Sequence, residues 1–198
     1  YAKGYLMPRE LCPVCKHYLL VPADGPENAK VLIVGEYPGR EEIETGHPWV
    51  GQAGKVLDQE LERAGLNRDY IRVTNLWLHK APVAPRVTPP KTKSALETWH
   101  KLKKAYAAEF SFHYTQMLKE LKAREAVLLM GSDVTMALLG VTVTSVAGCF
   151  VKSDILPKIA VAMMNPAIVF RSGPEGVLGE TRLAIQRFSE AVHALDHT

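Results

Sequence analysis

The sequence lacks the features that would place it in several large classes. No apolar run approaches the roughly 20 residues that a bilayer-spanning helix needs. Tyr1 to Glu10 also lack the apolar core of a signal peptide, so the chain is expected to be cytoplasmic, with no membrane partner. Neither a GxGxxG nor a Walker-type loop is present, which ranks a small-molecule nucleotide enzyme last. Three cysteines are too few and too unevenly placed for a disulfide framework. Cys12 and Cys15, in CPVC, have the spacing of a metal or redox element, whereas Cys149 sits in an apolar setting and reads as packing. Internal repeats are absent. A net charge of only +3 permits a nucleic-acid partner without demanding one.

What is present fits one good core. With 198 residues, 47% of them hydrophobic, a single domain spanning 1–198 is expected, its residues 1–30 forming an irregular arm that carries the CPVC pair. Strands are predicted at Val31 to Val34, Ile71 to Thr74, Ala126 to Met130 and Ile159 to Met163. Between and after them come helical patterns at Ala53 to Ala64, at Ser94 to Lys122 (read as two helices), from Ser132 as cap to Leu139, and at Glu180 to Leu195. Alternating strands and helices imply an α/β fold with a mainly parallel, four-stranded central sheet covered on both faces. Ala81 to Lys93 is dense in proline and positive charge without a carboxylate, hence a loop; its cations face either phosphate or solvent.

Gly35 to Asp58, with five glycines and two prolines, joins the first strand to the first helix and would let backbone approach a ligand closely. Open α/β sheets bind ligands at the carboxyl ends of their strands. Those ends are occupied here by Glu36, Asn75, Gly131-Ser132 and Asn165-Pro166-Ala167.

The same positions carry a resemblance. GEYPG, Glu42 and GHPWVGQAGKVLD, followed by AGLNRDYIRVTN, LLMGSDVTMALLG and NPAIVFR, are similar in content and order to the motifs of the uracil-DNA glycosylase superfamily, in particular its family 4. The resemblance covers about Cys12 to Arg171 and implies a three-layer α/β/α fold and a DNA partner with a flipped pyrimidine. It further implies that Glu36 orients a water toward C1′ and steadies the developing positive sugar. Trp49 would offer a face to the base, and Asn75 would read the pyrimidine edge with one donor and one acceptor. Gly51 and Ser132 would meet the DNA backbone, and Ile168, Val169, Phe170 and Arg171 would form a wedge filling the hole left by the flipped nucleotide. Plainer readings stand beside these: a core tryptophan, a loop glutamate, a turn asparagine and a serine N-cap.

Departures from the family pattern shape the expected substrate. Asn165 replaces the histidine that steadies the departing base, and a neutral amide stabilises an anion less than imidazolium does. Tyr37 adds bulk beside Glu36, while Gly39 stands where uracil-restricted members have a tyrosine fencing off C5. Together with Trp49 these changes suggest a 5-substituted or otherwise modified pyrimidine rather than plain uracil. The family also holds a four-iron cluster on four cysteines. Here only Cys12 and Cys15 match; His79 aligns with the third ligand, and His113 is the one candidate for the fourth. Two thiolates and two imidazoles favour a structural zinc, with a 4Fe-4S cluster as the alternative and a solvated His113 as the plain reading. No cofactor is required for the chemistry. The expected function is a monofunctional, monomeric glycosylase that leaves an abasic site, since no lysine is placed for a Schiff base. The rival is a catalytically weak protein of the same fold that captures uracil-containing or modified DNA.

Overall fold

The computed structural model describes residues 10–82, 90–168 and 174–195. Its centre is a sheet of five strands, β1 (Val31–Gly35), β2 (Ile71–Asn75), β3 (Ala126–Met130), β4 (Cys149–Phe150) and β5 (Ile159–Met163), in the order β2-β1-β3-β5-β4. The four longer strands run parallel, as the alternation of elements implies, and every residue of β1 and β3 is buried, as strands covered on both faces require. The fifth strand was not expected. β4 is a two-residue antiparallel edge on β5, and Cys149 within it is exposed rather than packed, because an edge pair this short has no layer over it.

Both faces of the sheet are covered. On one, Val31, Ile33, Leu128 and Val161 meet Leu57 and Leu61 of α2 (Gln52–Arg63) and Ala184, Ile185 and Phe188 of α5 (Pro174–Leu195). On the other, Leu32, Val34, Val127 and Leu129 meet Met117 and Leu121 of α3 (Lys93–Leu121) and Val134 and Leu138 of α4 (Ser132–Leu139). Each such fully buried aliphatic or aromatic side chain contributes about 1.5–3 kcal/mol, so this α/β/α sandwich is held mainly by its two apolar seams. A short helix, α1 (Arg40–Thr45), sits within the loop after β1.

Two helices expected between Ser94 and Lys122 are one, α3, of 29 residues. No glycine or proline interrupts it, so nothing ends the first half. That half holds no fully buried residue; the inward residues, Glu109, His113, Met117 and Leu121, recur every four positions and occupy its second half. The last helix starts at Pro174, earlier than Glu180, proline being at ease in a first turn.

Residues 10–30 form no helix or strand, but they are not loose. Asp24 exchanges backbone hydrogen bonds with Val73, and Val21 N–H donates to the Leu78 carbonyl, so the arm closes the open edge of β2. Arg72 and Arg124 bracket the Glu120 carboxylate at 2.9–3.0 Å, fastening the end of α3 to β2. Among the described residues no helix is long and apolar enough to cross a membrane.

Candidate active site

Strand register decides which side chains meet. Gly35 pairs with Asn75 and Met130 with Met163, so the residues that follow β1, end β2, and follow β3 and β5 emerge along one edge of the sheet. A cavity of about 650 Å³ opens there. Glu36, Tyr37, Gly39, Trp49, Gly51, Asn75, Ser132 and Asn165 all line it. Ile168 ends a 3-10 turn, Pro166–Ile168, beside this edge, whereas Val169, Phe170 and Arg171 lie outside the described residues, as does 83–89 of the basic loop.

Glu36 is half-buried and held at both oxygens. Asp133 N–H, in the first turn of α4, donates to Oε1 at 3.0 Å, and the Asn165 amide donates from Nδ2 to Oε2 at 3.2 Å. The orientation of Asn165 is set in turn by Ala167 N–H, which donates to its Oδ1 at 2.9 Å. Nδ2 therefore faces Glu36, and its second hydrogen is left for another acceptor. Gly131, not the expected Ser132, is the N-cap of α4, with φ 115° and ψ 173°, a conformation essentially reserved for glycine. A Cβ there would stand 2.4 Å from Glu36 Cδ, so the glycine is also what lets the carboxylate reach the helix amides. Ser132 is exposed at the rim. The amide of Asp133 in the same turn serves Glu36. Partial burial and then the charge of Glu36 push the Asp133 carboxyl above the usual range.

Trp49 is both core and lining. Only 7% of it is exposed, and its indole N–H donates to the Thr74 carbonyl at 3.3 Å. Its backbone has φ 62°, costly for a bulky residue and an indication that the loop is held in shape by its surroundings. Trp49 Cζ2 and Asn75 Oδ1 lie 2.3 and 2.5 Å from where a Cβ on Gly35 would be, so glycine allows the ring and the amide to meet over β1. Asn75 is 3% exposed, and its side-chain amide makes no hydrogen bond with another described residue. An amide on a cavity wall with no partner among the described residues is a ready reader of a polar edge. Tyr37, 45% exposed, stands at the mouth. Gly39 and Gly51 both abut the buried Glu42, which accepts the Gly51 N–H at 2.8 Å; a Cβ on Gly39 would come within 2.6 Å of its Oε2. That packing accounts for the glycine at 39 as well as any ligand would. His47, without an expected role, pairs with Asp24 at 3.1 Å.

A second cluster lies on the outer side of β2. Cys12, Cys15, His79 and Glu109 bring one donor atom each within 4.8 Å of one another. His113, the expected fourth ligand, is there too, its Nε2 2.9 Å from His79 Nε2 and 4.0 Å from Cys12 Sγ. His79 and His113 are fully buried against Trp77, and Tyr18 packs on His79. Burial, and next the proximity of His79, hold His113 down to about 3, so it is neutral at physiological pH. Burial pushes the Cys15 thiol up. Glu109 was missed in the sequence because a glutamate in a charged helix reads as solvated; its signal is the i, i+4 spacing to His113, which puts both on one face. The cluster can hold a metal ion.

The family model described as the uracil DNA glycosylase superfamily matches residues 22–191, a span that begins after the CPVC pair. The Type-4 uracil-DNA glycosylase of Archaeoglobus fulgidus is 40% identical over 73 residues, 37% of this chain and 37% of that protein. That of Pyrobaculum aerophilum is 42% identical over 72 residues, covering 36% and 37%, and that of Thermotoga maritima 33% over 82 residues, covering 39% and 43%. The chain thus spans well under half the length of the curated relatives it matches. With the family model covering most of its length, the chain belongs to the uracil-DNA glycosylase superfamily.

Proposed function

We propose that the chain is a monofunctional DNA glycosylase that draws a pyrimidine out of the helix and hydrolyses its N-glycosidic bond, with a modified, 5-substituted pyrimidine preferred over uracil. The observation that carries this reading is the meeting of Glu36, Asn75, Trp49 and Asn165 in one cavity, with Glu36 fixed at both oxygens. In the reaction the C1′–N1 bond breaks and the base leaves with its electron pair. A water oriented by Glu36 adds its oxygen to C1′, its lost proton passing by way of the carboxylate to solvent, and the base takes up a proton. The products are the free base and an abasic sugar. Glu36 also stabilises the cationic sugar, being held by neutral donors that leave its charge intact.

Asn75 supplies the donor and acceptor for the base edge, and the Trp49 ring borders the base face. Asn165 donates its second amide hydrogen to a base carbonyl as negative charge develops. The amide carries no positive charge and stabilises the departing anion less than an imidazolium would, so a base that leaves more readily than uracil suits this site better. The cavity of about 650 Å³ has room for more than an unsubstituted pyrimidine. Ser132 meets the DNA backbone, and one chain supplies every group, so a monomer suffices.

A panel of oligonucleotides bearing uracil and 5-substituted pyrimidines, assayed for alkali-labile sites with the wild type and Glu36→Gln, tests this. Cleavage of a substituted pyrimidine above uracil, lost in Glu36→Gln, is expected. Cleavage of uracil alone would refute the substrate preference, and binding without product on every oligonucleotide would establish the rival, a protein that captures such DNA without turnover.

A further inference from the structure

The cluster beside β2 disagrees with the four-iron cluster that the family resemblance implies. We propose that it binds a single tetrahedral zinc through Cys12, Cys15, His79 and Glu109, with His113 an outer hydrogen-bond donor rather than a ligand.

Spacing is the first observation. Four ligands at zinc bond lengths of about 2.0–2.3 Å stand about 3.3–3.8 Å from one another in a tetrahedron. Cys15 Sγ is 3.8 Å from His79 Nε2, His79 Nε2 is 3.8 Å from Glu109 Oε1, and all four donors lie within 4.8 Å. A four-iron cube interposes its whole body between its ligands and holds them farther apart than two metal–ligand bonds reach. The donor set agrees: two sulfurs, one imidazole and one carboxylate suit zinc, whereas a four-iron cluster takes mainly thiolate.

Tautomers separate the two histidines. His79 Nδ1 lies 2.8 Å from the Lys80 carbonyl, which only accepts; the hydrogen is therefore on Nδ1, and Nε2 presents its lone pair to the cluster. This is the usual arrangement of a metal-binding histidine oriented by a backbone carbonyl. His113 is set the opposite way. The Leu78 N–H donates to its Nδ1 at 3.2 Å, so the hydrogen of the neutral ring sits on Nε2, the nitrogen facing the cluster, and no lone pair is left there for a cation. That N–H points at His79 Nε2, 2.9 Å away. With zinc holding the His79 lone pair, the Cys12 thiolate, 4.0 Å away, is the remaining acceptor. Glu109, 8% exposed and reached by α3 one turn before His113, completes the set.

The consequence is mechanical. Zinc so held staples the N-terminal arm and α3 to the segment leaving β2, four residues beyond Asn75. Its binding energy becomes stability of that wall of the cavity.

Metal analysis of the full chain, purified without a histidine tag, tests the proposal. One zinc per chain with neither iron nor inorganic sulfide is expected. Cobalt substituted for zinc should give the intense visible bands of a tetrahedral site with thiolate charge transfer, and X-ray absorption should count two sulfur and two nitrogen or oxygen neighbours. Glu109→Gln and His79→Asn should lose stoichiometric zinc. His113→Asn should keep it, with retention against a chelator weakened about 10- to 100-fold. Iron with sulfide, or no metal in the wild type, would overturn the proposal. So would full retention in Glu109→Gln alongside complete loss in His113→Asn. Because the wild-type metal content and cobalt spectrum need no variant, misfolding of a variant leaves the proposal exposed to refutation.

Discussion

Replacing Gly131 by alanine separates the position of Glu36 from its identity. The Cβ would lie 2.4 Å from Glu36 Cδ and 2.7 Å from Oε1, against ordinary contact beginning near 3.4 Å, so the carboxylate must retreat by about 1 Å. A retreat of that size stretches the hydrogen bonds from Asp133 N–H and Asn165 Nδ2, now 3.0 and 3.2 Å, beyond useful reach. Misplacing a reacting group by about 1 Å costs about 100-fold in rate, equivalent to ~2.7 kcal/mol. The backbone at φ 115° and ψ 173° adds about 1–3 kcal/mol of strain, read as lost stability. Gly140→Ala is the control. It also has a left-handed φ, 70°, but nothing within 4 Å of its Cβ, so it should lose about 1–2 kcal/mol of stability and no activity. The assay is single-turnover formation of abasic sites with the folded fraction fixed by circular dichroism. Wild-type turnover in folded Gly131→Ala, or equal rate losses in both variants, would refute the placement of Glu36 as the working carboxylate.

Asn165→Ala removes the donor to Glu36 and the acceptor for Ala167 N–H; turnover should fall about 100-fold with DNA affinity little changed, checked by kcat against KM. Trp49→Phe keeps a π-face but loses the bond to Thr74, so activity should stay within a few-fold while chemical denaturation shows about 0.5–1.5 kcal/mol less stability. Partial burial raises the pKa of Glu120, but the hydrogen bonds and charges of Arg72 and Arg124 more than offset this and hold it below the ordinary 4.5. Its stabilising effect is present above that value and is lost as pH falls through the lower folded value; Glu120→Gln should flatten this acid limb of a denaturation series.

Much of the site was legible because it depends on strand order rather than on side-chain detail. Once Val31, Ile71, Ala126 and Ile159 are read as starts of parallel strands, Glu36, Asn75 and Asn165 must emerge on one edge, and register brings them together. What escaped reading depends on long-range contacts. The N–H that holds Glu36 is 97 positions away, and a backbone amide carries no mark in a sequence. Gly131 reads as a turn residue until Glu36 is found lying against it. Glu109 looks solvated until α3 is known to be unbroken and its inward stripe is followed back from Leu121. Cys149 reads as core because its neighbours are apolar, yet a two-residue edge strand leaves it in solvent.

The most direct measurement follows the base itself. With a duplex bearing a single 5-substituted pyrimidine and enzyme in excess, mass spectrometry should find free base released in step with abasic sites from the wild type, and none from Glu36→Gln, which should still bind the duplex. Retained binding by the wild type without free base from this or a uracil duplex would contradict a hydrolytic role for the cavity around Glu36.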